Sequence, residues 1–171
     1  MTFQTVGVVG VGQMGSGIVE VLARAGCDVV AREINDELLE RGKVYVQRSF
    51  ARGVERGKLS QAEADAAVSR LSFTTQLSDF AHCDLVIEAA TENMALKKTL
   101  FTELDVICKP DALLASNTSS LSITEIASAT QRPDRVVGLH FFNPVPVMPL
   151  IEIVRGLLTS EETLEAMRVL G

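Results

Sequence analysis

The chain has 171 residues, of which 47% are hydrophobic and 22% are charged, and its formal net charge is −6. These values are typical of one globular domain with a substantial core, and they exclude a disordered chain, a collagen-like repeat and a small disulfide-stapled protein. The negative charge argues against binding to nucleic acid or to an anionic membrane. No apolar run approaches the length that spans a bilayer, so we expect no membrane partner.

Two further features predict a cytoplasmic location. The N-terminal residues 1–5 contain no basic stretch followed by an apolar segment, so they do not resemble a secretion signal. The three cysteines, Cys27, Cys83 and Cys108, are odd in number and lack the spacing of metal ligands. We interpret them as buried thiols in a reducing compartment and expect no metal site.

Apolar extended segments alternate with segments of helical periodicity along the chain. Extended patterns occupy residues 6–9, 28–31, 85–87, 113–115, 135–140 and 150–154, and helical patterns occupy residues 16–25, 36–56, 61–68, 95–107, 123–129 and 161–170. This alternation predicts an α/β fold of the Rossmann type, with a doubly wound, mostly parallel sheet and helices on both faces. We expect residues 1–171 to form one dinucleotide-binding domain.

The first strand leads into Gly10-Val11-Gly12-Gln13-Met14-Gly15, a GxGxxG motif between a buried strand and a helix. Gly10 allows a tight turn, Gly12 lets a pyrophosphate approach the backbone, and Gly15 lets the helix pack against the strand. The helix N-terminus supplies free N–H groups for the phosphates. We predict that Gln13 and Met14, within this loop, also contact the cofactor.

An acidic residue completes this pattern at the end of the second strand. Glu33 follows Gly10 at close to the expected offset, and its carboxylate would accept hydrogen bonds from the adenosine ribose. These features favour NAD. The neighbouring Arg32 can accommodate a 2′-phosphate, which leaves NADP as the alternative.

His140 is the candidate catalytic base. It ends the strand pattern of residues 135–140, and ligands of doubly wound sheets bind at the carboxyl ends of the strands. If the chain folds back about Pro146, His140 lies opposite Glu152, the lone charge in an apolar strand. Because an unpaired buried charge is costly, we predict that Glu152 orients the imidazole.

Ser119 is the candidate residue for binding a substrate oxygen. It follows the strand of residues 113–115, again at a carboxyl end. The alternative role, capping the helix that starts near Ile123, is already met by Ser122 with Glu125.

The runs Ser116-Asn117-Thr118-Ser119-Ser120 and 140–148, together with Glu152, resemble the 3-hydroxyacyl-CoA dehydrogenase family. The resemblance extends from about Val6 to the end of the chain. It implies reversible NAD-linked oxidation of an L-3-hydroxyacyl-CoA, such as 3-hydroxybutyryl-CoA, to the 3-ketoacyl-CoA. Within it, His140 matches the general base, Glu152 its partner, and Ser119 the serine near the reacting oxygen.

The same resemblance implies further contacts. Glu92, Lys97, Asn117, Ser119 and Asn143 match cofactor-binding positions, and Glu33 matches the ribose contact. Ser49 and Arg56 match contacts to coenzyme A. On a helix, Arg48, Arg52 and Arg56 share one face with Ser49 near it, although a solvated basic face would look the same.

The family carries a second, mostly helical domain that closes the acyl site and forms most of a homodimer contact. That domain is absent from this sequence, so we expect a chain that binds cofactor with little or no activity. Two other functions stay open: a dehydrogenase of a free hydroxy acid, and a catalytically silent dinucleotide-binding module.

Overall fold

A computed structural model of the chain describes residues 3–170. The strands are β1 (Thr5–Val9), β2 (Asp28–Arg32), β3 (Leu71–Thr74), β4 (Leu85–Glu88), β5 (Leu113–Ser116), β6 (Val136–Phe141) and β7 (Ile151–Val154). The α-helices are α1 (Gln13–Arg24), α2 (Asp36–Glu55), α3 (Gln61–Val68), α4 (Met94–Ile107), α5 (Ile123–Ala127) and α6 (Glu161–Leu170). Short 3-10 helices span Leu77–Phe80 and Pro133–Arg135.

Within residues 3–170 the strands form one seven-stranded sheet in the order β3-β2-β1-β4-β5-β6-β7. The first six strands run parallel, and β7 pairs antiparallel with β6. The chain order reverses between β1 and β4. In such sheets the crevice beyond the carboxyl ends of the strands at the reversal is the expected ligand site. The predicted Rossmann-type fold is confirmed.

Helices cover both faces of the sheet, and alternate strand residues point to each. Val8 of β1 packs in a cluster with Ile18 of α1, while Val9 packs in a second cluster with Phe101 of α4. A parallel sheet buried on both faces needs apolar residues at consecutive positions, which explains why its strands appear in the sequence as short apolar runs.

All twelve predicted helices and strands are present, and three differences among the strands and α-helices exceed one residue. The strand β3 is missing from the sequence prediction because it is a half-buried edge strand with polar residues at Ser72 and Thr74. Helix α1 begins three residues earlier than predicted, at Gln13, because the glycine loop itself enters the helix. Helix α5 ends two residues early, at Ala127.

The predicted helix caps are present. The Ser60 side chain and Glu63 form a complete capping box on α3, and the Ser122 side chain accepts the Glu125 N–H at the start of α5. Among the helices of residues 3–170, none is both long and apolar enough to cross a membrane. All three cysteines are buried, as predicted.

Asp84, just before β4, ties three parts of the chain together. Its carboxylate accepts the N–H groups of Gln4 and Thr5 at 2.7 and 3.0 Å and the Lys109 ammonium at 2.5 Å. Burial alone would raise the pKa of this carboxyl, but the hydrogen bonds from Lys109 and from the backbone of Thr5 and Gln4 outweigh it and lower the pKa from 3.8.

Asp84→Asn is therefore expected to lower the free energy of unfolding by about 1–2 kcal/mol at neutral pH. Because the folded-state pKa is depressed, this contribution is complete above the unfolded pKa of about 4 and disappears as the pH falls through the lower folded value. Urea unfolding of both proteins over an acid pH series measures the difference, with the exposed Glu103→Gln as control. A destabilisation that stays constant down to the lowest pH would contradict this assignment.

Candidate functional site

The candidate functional residues gather beyond the carboxyl ends of β1, β4, β5 and β6. Each of these strands leads into a loop at the same edge of the sheet. The loops begin at Gly10, Ala89, Asn117 and Phe142. The topology therefore brings together segments that lie more than 130 residues apart in the sequence.

The three motif glycines meet three different local requirements. Gly10 has a positive φ of 87°, and a Cβ there would lie 2.9 Å from the Ala89 carbonyl oxygen. A Cβ on Gly15 would lie 1.7 Å from the Gly10 carbonyl oxygen. Around Gly12, by contrast, a Cβ would meet no protein atom within 4 Å. The loop is thus closed on the protein side at Gly10 and Gly15 and open on the outer side at Gly12.

Helix α1 begins directly at this open side. Gly12 is its N-cap residue, with no side-chain hydrogen bond to cap the helix. The first N–H groups of a helix have no partner within the helix, and they carry the positive end of its dipole. Gln13 and Met14 contribute the first two of these groups, while Met14 packs its partly buried side chain against the core. This arrangement suits a phosphate group.

Glu33 lies beside the glycine loop, immediately after β2. One carboxylate oxygen accepts the Val11 N–H at 2.6 Å, and the other accepts the Ile34 N–H at 3.1 Å. The carboxylate therefore faces the loop on which a dinucleotide would lie. The Arg32 guanidinium turns to the segment after β3, where its Nε donates to the Thr75 carbonyl oxygen at 3.3 Å.

His140 and Glu152 pair directly across strands β6 and β7. The His140 Nδ1 and Glu152 Oε2 atoms are 2.9 Å apart, so the predicted pairing is present. The His140 ring also contacts Phe142, with 4.6 Å between ring centroids. The expected burial of Glu152 is wrong: its side chain is 55% exposed, against 19% for His140, because β7 is an edge strand with one face open.

The loop after β5 carries the predicted Asn117 and Ser119. The Asn117 side-chain oxygen accepts the Phe141 N–H at 2.8 Å, which fixes this loop to the end of β6 beside His140. Ser119 is exposed on the same loop. Thr118 between them is buried, and its hydroxyl donates a hydrogen bond to Glu92 Oε1. Glu92 thereby connects the loop after β4 to the loop after β5.

Lys97, a predicted cofactor contact, forms an ion pair at the end of β4. Its ammonium lies within 2.7 Å of both carboxylate oxygens of Glu88, and its side chain is only 2% exposed. A direct contact with a cofactor stays a prediction. Glu88 was not among the predicted site residues, although its sequence signal is a lone charge directly after the apolar run Leu85–Ile87.

A cavity of about 490 Å³ lies between α1, α2 and the turn after β6. The predicted coenzyme A contacts Ser49 and Arg56 line it, and the predicted cofactor residues Gln13 and Asn143 line it too. Arg24, Arg52 and Lys58 add positive charge to the wall. The cavity therefore joins a basic surface to the outer side of the glycine loop.

The arginines of α2 and its C-cap line two neighbouring surface depressions. Arg52 and Arg56 line this cavity, but Arg48 lies in a different surface depression, with Glu40 and Val44. Tyr45 and Ser49 face the cavity from α2. Arg48 precedes Ser49 and is therefore rotated by about 100° from Ser49 around the helix axis.

Glu20 is a cavity residue that sequence reasoning missed. Its side chain is 2% exposed, one carboxylate oxygen lies 3.5 Å from the Arg24 guanidinium, and the other has no hydrogen-bond partner among the described residues. Its signal in the sequence was a charged residue on the apolar face of α1.

Comparison with known proteins decides the family. The family model for "3-hydroxyacyl-CoA dehydrogenase, NAD binding domain" matches residues 5–171. The chain belongs to the 3-hydroxyacyl-CoA dehydrogenase family. NAD is therefore its cofactor type, and the glycine loop, the free start of α1 and Glu33 fit a dinucleotide.

The relatives are longer proteins, and only part of their length aligns with this chain. A 3-hydroxybutyryl-CoA dehydrogenase of Mycobacterium tuberculosis is 54% identical over 159 residues, which cover 92% of this chain and 56% of that protein. This chain thus spans little more than half the length of such 3-hydroxyacyl-CoA dehydrogenase relatives.

Two crystal structures of family members share the fold closely. M. tuberculosis FadB2 has a TM-score of 0.96 at 50% identity, covering 98% of this chain and 59% of that one. The (S)-3-hydroxybutyryl-CoA dehydrogenase PaaH1 from Ralstonia eutropha has a TM-score of 0.96 at 44% identity, covering 99% and 60%.

Proposed function

We propose that this chain is the NAD-binding part of an enzyme that oxidises an L-3-hydroxyacyl-CoA, such as 3-hydroxybutyryl-CoA, to the 3-ketoacyl-CoA. The observation that carries the proposal is the His140–Glu152 pair, at 2.9 Å, at the edge of the sheet where the glycine loop opens. A module that only binds a dinucleotide has no need of an oriented imidazole at that edge.

In this proposal His140 is the general base. Glu152 accepts the Nδ1–H of the neutral imidazole, so the lone pair on Nε2 is left to take the proton of the substrate hydroxyl. The same carboxylate then stabilises the imidazolium that forms. When bound, NAD supplies the acceptor for the hydride that leaves the hydroxyl-bearing carbon. The carbon–oxygen double bond forms as the proton and the hydride depart, and the reverse reaction returns both.

Ser119 and Asn117 lie on the loop beside His140, where the substrate hydroxyl would react in this proposal. Ser119 is exposed on the loop next to β6, where its hydroxyl can donate to the substrate oxygen. Asn117 is held by Phe141 N–H, one residue from His140, and so keeps that loop at a fixed distance from the base. Asn143, at the start of the turn, borders both the glycine-loop side and the basic cavity.

The basic cavity supports an acyl-CoA in preference to a free hydroxy acid. A free acid needs one positive group beside the base, whereas Arg52, Arg56 and Lys58 form an extended cationic wall together with Ser49. Phosphate groups of coenzyme A suit such a wall because guanidinium groups bind phosphate through paired hydrogen bonds. The names of the relatives, which include 3-hydroxybutyryl-CoA, support the same substrate class.

This chain matches 56% of the length of the M. tuberculosis relative, and the proposal also covers the rest of such relatives. We propose that the remaining part of such relatives completes the acyl site and mediates a homodimer, and that the 171-residue chain alone binds NADH but turns over acetoacetyl-CoA far more slowly. A cytoplasmic location belongs to the same proposal, and the buried free thiols favour it.

The test is a titration of the chain with NADH and with NADPH, followed by fluorescence, and then addition of acetoacetyl-CoA while NADH absorbance is recorded. We expect NADH to bind more tightly than NADPH. Acetoacetyl-CoA should protect NADH-bound chain from heat more strongly than free acetoacetate does, and Arg56→Glu should abolish that difference. Absence of NADH binding would refute the cofactor site, and equal protection by acetoacetate would favour the free-acid alternative.

A further inference from the structure

Thr118 carries a buried hydroxyl in the loop after β5, between the two predicted site residues Asn117 and Ser119. Its side chain is 4% exposed, whereas Ser119 is exposed. A buried polar group costs free energy unless it is hydrogen-bonded. The partners of this hydroxyl therefore indicate what it contributes to the site.

The Thr118 oxygen accepts backbone N–H groups from residues that follow it. The Leu121 N–H donates to Oγ1 at 3.0 Å, and the Ser120 N–H donates to the same oxygen at 3.4 Å. Threonine hydroxyls close such turns by accepting from the backbone a few residues further along the chain. Both donors come after Ser119, so the chain turns around this exposed residue. Ser119 thus lies at the tip of a turn that Thr118 holds.

The proton of the same hydroxyl goes to a different loop. A threonine hydroxyl has one proton and two lone pairs, and the two N–H contacts use the lone pairs. The proton is donated to Glu92 Oε1, in the loop after β4. Within residues 3–170, the Glu92 carboxylate has no other hydrogen bond or ion pair. Because Glu92 is otherwise exposed, this contact is what holds its side chain in one place.

The strand order indicates which half of a dinucleotide would meet these two loops. With its adenosine at Glu33, after β2, and its pyrophosphate at the glycine loop, after β1, the molecule extends next across the ends of β4 and β5. Beyond them lies β6, which carries His140. In the proposed complex, the loops after β4 and β5 therefore lie beside the nicotinamide and its ribose.

Thr159 provides a comparison, because its hydroxyl is equally buried and has only backbone partners. It accepts the Gly156 N–H at 2.8 Å and donates to the Val136 carbonyl oxygen at 2.7 Å, at the amino end of β6. Thr118 closes a similar turn, but it gives its proton to an exposed carboxylate on another loop. The turn itself does not need this second contact, which points to a role in placing Glu92.

We propose that Thr118 is a positioning residue for the nicotinamide half of the cofactor. Its hydroxyl is fully used by these contacts, so it acts through the residues that it holds. It keeps Glu92 and Ser119, from two different loops, at a fixed separation. The inference rests on the proposed function in that NADH binds across the glycine loop with its nicotinamide toward His140.

The test compares NADH with ADP, which has the adenosine and pyrophosphate of NADH but lacks the nicotinamide and its ribose. Calorimetric titrations of the 171-residue chain give both affinities. Thr118→Val keeps the shape of the side chain and removes the hydroxyl. We expect it to weaken NADH binding about tenfold, the size of one net hydrogen bond, and to leave ADP binding within about twofold. Thr118→Ser keeps the hydroxyl and should restore most of the NADH affinity.

A double-mutant cycle shows whether Thr118 acts through the two residues that it holds. The background is Glu92→Ala combined with Ser119→Ala, in which a positioning hydroxyl has nothing left to position. Thr118→Val should have no further effect on NADH affinity in this background. An undiminished loss there would overturn the proposal, since Thr118 would then act without either residue.

Two outcomes of the titrations would also overturn the inference. Equal weakening of NADH and ADP binding would show that Thr118 supports the whole site and not its nicotinamide half. An unchanged NADH affinity at a lower melting temperature would show a hydroxyl that serves the fold alone. Should Thr118→Val fail to fold, Thr118→Ala removes the same hydroxyl without branching at Cβ, and an unchanged ratio of NADH to ADP affinity in that variant would refute the proposal.

The matched control is Thr159→Val, which removes a buried turn-closing hydroxyl at the opposite edge of the sheet. It should lower the melting temperature without a change in either affinity. A wild-type chain that binds neither nucleotide would refute the proposed function and this inference together. NADH binding that Thr118→Val leaves intact refutes only the inference.

Discussion

Replacement of His140 by alanine is expected to lower kcat for 3-hydroxybutyryl-CoA about a thousandfold, which is within the usual contribution of a general base. The substitution removes the imidazole that is proposed to take the hydroxyl proton, and it leaves the glycine loop, α1 and Glu33 untouched. NADH affinity should therefore stay within about twofold of the parent value. A loss confined to kcat is the signature of a group that acts only in the transition state.

The measurement needs a protein that also contains the part of the relatives that this chain does not match. One example is a fusion of residues 1–170 to the unmatched part of the M. tuberculosis relative. Steady-state rates give kcat and KM, and a fluorescence titration gives the NADH affinity. Glu152→Gln should retain the position of the imidazole and lose its charge stabilisation, with a decrease in kcat of about tenfold to a hundredfold.

The other histidine is the control for this experiment. His82 is exposed and precedes Cys83, at the edge of the sheet where β4 begins and so opposite to the site. His82→Ala should leave kcat unchanged. A His140→Ala protein with parental kcat would remove His140 from the role of base, and a parallel loss in His82→Ala would indicate a general defect in folding.

The fold was largely predictable because its parallel strands are buried on both faces. The runs Leu85–Ile87 and Leu113–Ala115 are continuous apolar segments, and few other structures require them. Strand β3 lacks this signal because an edge strand is buried on fewer sides, so Ser72 and Thr74 are tolerated. Its existence follows from the pairing with β2, which is a long-range property of the sheet.

The site residues were predictable where a short sequence pattern determines their positions. The glycine loop follows from its spacing, and the His140–Glu152 pair follows from a turn equidistant from both residues. The Glu88–Lys97 pair could not be found in this way, because it depends on the packing of α4 against the ends of two strands. The predicted burial of Glu152 was wrong for a related reason. An apolar sequence pattern does not reveal whether a further element covers the edge strand.

Alanine substitutions at Gly12 and Gly15 should both abolish or strongly weaken NADH binding, but for different reasons. A Cβ on Gly12 meets no protein atom within 4 Å and the residue has an ordinary φ of −73°, so Gly12→Ala should fold with an unchanged melting temperature. The methyl group would instead occupy the open side of the loop, where the pyrophosphate must approach the backbone. We expect NADH binding to weaken at least about a hundredfold, which corresponds to about 2.7 kcal/mol.

Gly15→Ala should act through the fold. Its Cβ would lie 1.7 Å from the Gly10 carbonyl oxygen, so the turn and the start of α1 must move apart. The expected result is a loss of several kcal/mol in unfolding free energy, as for other overpacked sites, together with loss of NADH binding. Thermal unfolding and an NADH titration of both variants separate the two mechanisms.

Gly26→Ala calibrates the comparison, since it has a positive φ of 97° with open space around its Cβ, at the end of α1 away from the loop. Backbone strain alone should cost it about 1 kcal/mol of stability at unchanged NADH affinity. If Gly12→Ala binds NADH normally, the dinucleotide does not cross the loop at that residue, and the site must lie elsewhere along the carboxyl edge. If Gly12→Ala loses stability as Gly15→Ala does, the openness of the loop at Gly12 is not what selects glycine there.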